Sequence, residues 1–487
     1  MSQHTGHTGH TVLASTDSSA FASVRQRGTT RDERFALGHS LREKVPIAAL
    51  GVWNATQARP DPIELINASH HGRVKDLIPI RVGRMVSSPY GFYRGSAVVM
   101  ASDVAALPIT GIMPVICGDS HLGNFGFYRS PEGEQVIDLN DFDEAHPGAW
   151  EWDLRRLTAA VWVAGRENGY SEDDIAEAVR ACVLAYRDEV ALLATMPLLA
   201  HSYNRLDVER LHETATEKDL RDEIRRAAKI ARKRTSDRAL PRFTDSTADG
   251  ERRIVEELPL IRSVRGEEFE QLAEGLDAYL DTLAPHWRRV VAGYTLVDIA
   301  HKVVGVGSVG LRAYVVLLEG SSPDDVLFLQ LKQARRSVLA KYVHGDPARH
   351  DHQGRRVVEY QQALQTVSDP LLGWTSVGGR EYYVRQFRNM KGTVPLDGLT
   401  ATALTDYAGI VGHLLAKGHA RTSGASMIAG YLGRGEKAAK AFSRFARLYA
   451  DQTEADHAAL VKAARDGRIP VADGALAAMG SAFRPGG

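Results

Sequence analysis

The stretch CGDSHLGN at residues 117–124, followed by DLNDFDEA at residues 138–145, decides how this chain is read. An apolar run at 111–116 enters the first segment, and 135–139 reads as a second short strand, so two strands bracket a loop crowded with carboxylates. Metal–phosphate chemistry needs hard oxygen ligands for Mg²⁺ and a carboxylate left free to take the proton of an attacking hydroxyl. Asp119 is read as that catalytic carboxylate, with His121 beside it as polar support for the loop. Asn124 and Asp141 are the expected metal ligands, and Asp138 competes with Asp141. Asp119, Asp138, Asp141 and Asp143 would repel one another unless a cation neutralised them, which makes Mg²⁺ an expected cofactor.

Outward from this loop the chain alternates between regimes. Residues 1–31, rich in Ser, Thr, Gly and His, read as a flexible tail, and its His4, His7 and His10 as a solvated cluster without the supporting shell of a true metal site. Residues 34–113 are mixed, with turn signals at Arg59-Pro60-Asp61-Pro62 and 87–91 and a short helix at 96–107. Helices are expected over 150–165, 172–196, 207–234 and 267–291, with an irregular excursion at 238–251. The basic end of the third, 229–234, reads as a solvated face. Residues 303–387 then turn into short runs of Gly, Val, Leu and Tyr, which predicts antiparallel strands and one helix. Helices return at 403–419 and 435–466.

The spacing of Asp119, His121 and Asn124 is similar to the catalytic loop of aminoglycoside phosphotransferases and related small-molecule kinases. Asp141-Phe142-Asp143-Glu144-Ala145 resembles their metal-binding segment, and Asp153, twelve residues on, resembles the start of their next helix, which favours Asp141 over Asp138 as the ligand. Cys117 replaces the His that opens the usual triplet, a change of packing. Asp143 stands where protein kinases have Gly. From about residue 34 to 465 the chain also resembles domain-of-unknown-function family 2252, through RMVSSPYGFYRGSA from Arg84, CGDSHLGNFGFY from Cys117, DLNDFDEAHPGAWEWDLRRL from Asp138 and LQLKQARRSVL from Leu329. Arg84 and Arg94 flank a Pro-Tyr-Gly turn there and are read as surface or ion-pair arginines, with an anion grip as the alternative.

Gly305, Gly307 and Gly310, with Ser308 between them, fit G-x-G-x-x-G. A dinucleotide fingerprint requires a helix to follow, whereas 311–318 is β-branched and short and is succeeded by a Ser-Ser-Pro-Asp turn and a second apolar run to Lys332. The hairpin reading prevails. The kinase resemblance then implies that the glycine loop covers nucleotide phosphates and that Lys332 contacts them, steadied by Glu359 on a following helix; Glu381 fits that role less well. The strand 382–387 would lead to the segment joining two lobes. These parts follow the catalytic loop in the chain, where kinases place them first, so the resemblance implies a circular permutation.

The expected fold is therefore α+β: a two-lobed, permuted protein-kinase-like fold with a tail at 1–31, a helical catalytic lobe at 32–300, a β-rich nucleotide lobe at 301–400 and a returning helical segment at 401–487. At ~150 residues per domain a chain of 487 suggested roughly three units, so this layout splits the larger lobe in sequence. The expected function is ATP- and Mg²⁺-dependent phosphotransfer to a small-molecule or protein hydroxyl. Alternatives on the same parts are AMP transfer, a silent nucleotide-binding regulator, and a phosphoesterase built on Asp119, His121, Asp138 and Asp141, which leaves the glycine loop and Lys332 idle. Sixty basic residues cancel sixty acidic ones, so no global field gathers nucleic acid. Two cysteines, no apolar secretory segment and no run of ~18 apolar residues make a cytoplasmic protein without a membrane partner the expectation.

Overall fold

A computed structural model describes residues 29–475, apart from 57, 204, 247–251, 304, 306, 344–349, 388, 423 and 473. The expected tail, with its histidines, lies outside the described residues except at its last positions, where the helix Arg31–Lys44 begins, capped by Thr30 and Glu33.

The architecture is mixed α+β, with helices predominating over small antiparallel sheets. The helix Trp150–Glu167 is buried almost all round. A helix of that kind must lie inside a core. It is sheathed by Glu172–Thr195, Ala401–Arg421 and Glu436–Arg465, which share its apolar cluster. Ser171 accepts the Asp174 N–H and three acids fill the first turn of Glu172–Thr195, satisfying exposed donors and opposing the helix dipole.

A six-stranded antiparallel sheet runs in the order Gly373–Val377, Arg380–Gln386, Val326–Gln333, Ala313–Glu319, Thr295–Lys302, Ile261–Ser263. Helix Glu267–Leu280 packs on one face with Tyr279 and Leu276, forming a second core. Helix Gln353–Leu364 lies against Gly373–Val377 and Arg380–Gln386, at the edge that Glu267–Leu280 also touches. The sheet thus includes strands before 301, because Ile261–Ser263 pairs with Thr295–Lys302.

Several expected elements are divided. Pro285 starts a new helix, so 267–291 becomes Glu267–Leu280 and Pro285–Val291. The 207–234 run breaks at Ala215, where the Asp406 carboxylate accepts the N–H groups of Thr216 and Glu217. The expected irregular excursion opens instead with helix Ser236–Phe243 and strand Thr244–Ser246. Turn signals at Pro62 and Pro89 open helices: Asp61 and Ser88 cap Pro62–Ser69 and Pro89–Gly95. Of the apolar run at 111–116, only Val115–Ile116 pairs as a strand, with His146–Pro147.

Candidate active site

The loop after Ile116 is shaped by a carboxylate beneath it. Asp153, near the start of Trp150–Glu167 and 1% exposed, accepts the N–H groups of Cys117 at 2.7 Å and Gly118 at 2.8 Å. Gly118 has φ +77, and a Cβ there would strike the Glu144 carbonyl at 2.4 Å, so the turn requires glycine. His419, on Ala401–Arg421, lies 3.1 Å from Asp153 and hydrogen-bonds Tyr186 on its other side, linking a late helix to the loop.

Asn124 brackets the two carboxylate segments. Its Nδ2 donates to the carbonyls of Asp119 and Asp141, and its Oδ1 accepts the Asp141 N–H at 2.6 Å. At 2% exposed and with its oxygen accepting the Asp141 N–H, it ties the two loops together where they line the cavity. The Cys117 thiol packs against Asn124 and Asp141, and burial holds it far above the ordinary thiol range.

The four aspartates expected to crowd around a metal are divided: Asp119 and Asp138 have partners of their own, and Asp141 and Asp143 share Lys332. Arg156 grips Asp119 Oδ1 through Nε at 2.9 Å and Nη2 at 2.6 Å, while its guanidinium lies 4.1 Å from the Tyr93 ring centroid. Only Oδ1 is engaged among the described residues, which leaves Oδ2 without a hydrogen-bond partner there. Asp138 faces elsewhere: it is 4% exposed, accepts N–H groups from Leu139 and Thr366, and is raised by burial. It does not line the cavity of Asp119 and Asp141.

Lys332 supplies the positive charge for the remaining two. Its side chain is 3% exposed, and Nζ lies 2.5 Å from Asp143 and 3.3 Å from both Asp141 oxygens. Although burial opposes it, these carboxylates hold Lys332 well above the ordinary lysine range. Its cross-strand neighbour Tyr383 donates to the other Asp143 oxygen at 3.0 Å, and Ser308 of the glycine loop donates to Asp143 at 3.2 Å. Asp143 therefore joins loop, sheet and lysine.

Glu359 does not reach this cluster. Its carboxylate is held by His350 at 3.0 Å and Arg355 at 2.7 Å, one on each oxygen. The partner expected from that helix is supplied instead by Asp141 and Asp143. Glu381 accepts the N–H of Gln353 at the start of the helix.

The glycine loop joins the antiparallel strands Thr295–Lys302 and Ala313–Glu319, as the hairpin reading requires, with Val304 and Val306 outside the described residues. Gly305 and Gly310 have φ +68 and +87. Arg84 donates to the Gly305 carbonyl, and the Gly310 carbonyl accepts the Val74 N–H. Gly305, Gly307 and Ser308 line a cavity of about 600 Å³, opposite Asp119, His121, Asp141 and Glu144; Gly310 packs behind it on Arg73. That volume suits a small ligand. Arg385 and Lys391 complete one side, and burial drives Lys391 far below the ordinary lysine range.

His121 is 8% exposed, and its Nδ1 has no partner among the described residues. Burial pushes it down to about 4, so it is neutral near pH 7 and supports the loop as a polar, uncharged ring. Glu144 went unread in the sequence. It lines the cavity and accepts the Val338 N–H, and burial, reinforced by Asp143 and Asp119, pushes it up to about 7. A folded-state value above the ordinary 4.5 means that Glu144 stabilises the fold at acid pH, and this contribution is lost as pH rises from about 4.5 to 7. In metal-free buffer, urea titrations between pH 5 and 8 should show that falling stability, and Glu144→Gln should flatten it. An unchanged slope in the variant would refute the assignment.

Among the described residues no three His, Cys, Asp or Glu side chains converge as a ready metal cage. Mg²⁺ rarely needs one, since one or two carboxylates with phosphate and water oxygens complete its shell. Asp141, with 46% of its side chain exposed, and the free oxygen of Asp119 both line the cavity and fit that requirement.

A family model described as an uncharacterised protein conserved in bacteria (DUF2252) matches residues 73–463, which spans the loop, the lysine strand and the late helices. No curated protein and no solved structure matches the chain.

Proposed function

The chain belongs to the DUF2252 family, and on that footing we propose that it is an ATP- and Mg²⁺-dependent phosphotransferase acting on the hydroxyl of a small molecule or protein. The observation that carries this reading is the convergence on one cavity of parts far apart in sequence: Asp119, the Asp141–Asp143 segment with Lys332 behind it, and the glycine loop. The proposal extends to the fold, a two-lobed kinase-like arrangement in circularly permuted order. Cys117 and Cys182 are both free thiols, which favours a reducing cytoplasm, and among the described residues no helix is long and apolar enough to cross a membrane.

In this reading the γ-phosphoryl group passes to the acceptor oxygen, the acceptor proton goes to Asp119 Oδ2, and ADP leaves. Arg156 fixes Asp119 by holding Oδ1, so the free oxygen points consistently. The glycine loop, anchored by Arg84 and Asp143, covers the phosphates, while Arg385 contributes charge to them and Lys391 a hydrogen-bond donor. Lys332 keeps Asp141 and Asp143 together as the loop's fixed point. Bound Mg²⁺, held through Asp141, would offset phosphate charge. Catalysis is then mostly positioning and electrostatic stabilisation. Calorimetry with ATP should give saturable binding that tightens when Mg²⁺ is added. Absence of ATP binding with and without Mg²⁺ would end this reading.

A further inference from the structure

The wall of the cavity next to Asp119 carries arginines that are not held in direct ion pairs among the described residues. Arg81 is 2% exposed and lines the cavity; Nη2 donates to the Gly95 carbonyl at 2.8 Å, but Nε and Nη1 have no partner. Arg94 lines the same wall, and its Nε is also without a partner. Arg73 and Arg335 both reach the Ser69 carbonyl, at 3.1 and 3.2 Å. Among the described residues no carboxylate forms an ion pair with any of the four. Buried donors are almost always satisfied and buried charges almost always paired. Arginines needed only to hold carbonyls would not leave three donor nitrogens without a partner in residues that line a cavity.

The electrostatics agree with the geometry. Burial, Arg81 and Arg335 push Arg73 down to about 8 against the partial opposition of Glu144 and Asp143, and burial with Arg335 pushes Arg81 down to about 10. A guanidinium keeps its proton near neutral pH, so these cations are destabilised where they stand. An anion among them would relieve that, and the planar fork of arginine suits oxyanions of phosphate or carboxylate type.

We propose that Arg73, Arg81, Arg94 and Arg335 form an anion subsite for a phosphate-class group carried by the acceptor. The assignment to the acceptor, which rests on the phosphotransfer reading, follows from position. Arg94 lies on Pro89–Gly95, whose Tyr93 carbonyl and ring hold Arg156 against Asp119, and Arg81 is tied to the end of the same helix. A Cβ on Gly123 would lie 3.3 Å from His121 Nδ1 and 3.6 Å from Arg94 Nε, which places Arg94 at the catalytic loop. Lys391 and Arg385 remain for the nucleotide.

The test uses inorganic phosphate and the full chain without nucleotide. Calorimetry should detect phosphate binding, weakened about tenfold or more in Arg81→Gln and in the less buried Arg94→Gln, with circular dichroism establishing that each variant folds. Binding should persist when a non-hydrolysable ATP analogue with Mg²⁺ saturates the protein. Phosphate that competes with the analogue would overturn the acceptor assignment, because the arginines would then serve the nucleotide. No phosphate binding, or equal binding by folded variants, would overturn the subsite while leaving nucleotide binding intact. Phosphate binding without nucleotide binding would support the subsite and remove the phosphotransfer reading.

Discussion

Lys332→Met is expected to lower stability by about 3 kcal/mol and to abolish turnover. Removing one member of a buried ion pair typically costs ~3–5 kcal/mol because the partner is left uncompensated. The low end applies here, since the Asp141 side chain is 46% exposed and water screens it, whereas Asp143 is only 20% exposed. Methionine preserves the length and packing of the stem, so the loss reports charge. The deficit should shrink once pH falls below the ordinary aspartate range, because Lys332, against the effect of burial, holds Asp141 below its usual value, and protonating that carboxylate removes the charge that the lysine balances. Denaturant titrations at pH 8 and at about pH 3 measure this directly. Equal stability of variant and parent at pH 8 would mean that the lysine is not the counter-charge of the loop.

Asp119→Asn should reduce kcat by about 10²–10⁴-fold, the range for loss of a positioned general base, with little change in ATP affinity. The amide oxygen still accepts from Arg156, so the geometry of the loop survives while the proton acceptor is lost. A variant that binds ATP and turns over at the parent rate would remove Asp119 from the chemistry. Arg156→Lys separates positioning from charge: it keeps a cation, loses the two-point grip on Oδ1, and should lower kcat while leaving the KM for ATP nearly unchanged.

Much of this site was legible because its local patterns are strong. Asp119, Asn124 and Asp141 lie on two turns flanked by short apolar runs, and the glycine loop is followed by a hairpin whose register places Lys332 between Ala313 and Tyr383. What escaped reading depends on packing between distant segments. Glu359 occupied a plausible position on its helix, yet His350 and Arg355 take up its carboxylate, and nothing in the spacing revealed that Asp143 would bind Lys332 in its place. Asp138 alternates with its neighbours along a strand that pairs Gly126, so its side chain turns away from the cavity; a period of two carries that information. Arg156 also had a signal, standing one helical turn after Asp153 and hence on the same face. Arg73 and Arg81 gave none, since only the folded chain reveals that neither forms an ion pair among the described residues.

Phosphoryl transfer from ATP is the central step of the proposed function, and the most direct measurement supplies Mg²⁺ and ATP labelled separately at the γ- and α-phosphates to the purified full chain. Label should leave ATP from the γ position alone, with ADP formed, and this release should be lost in Asp119→Asn. Transfer of the α label would contradict the account in favour of AMP transfer, and ATP bound but recovered intact would contradict it in favour of a regulator without turnover.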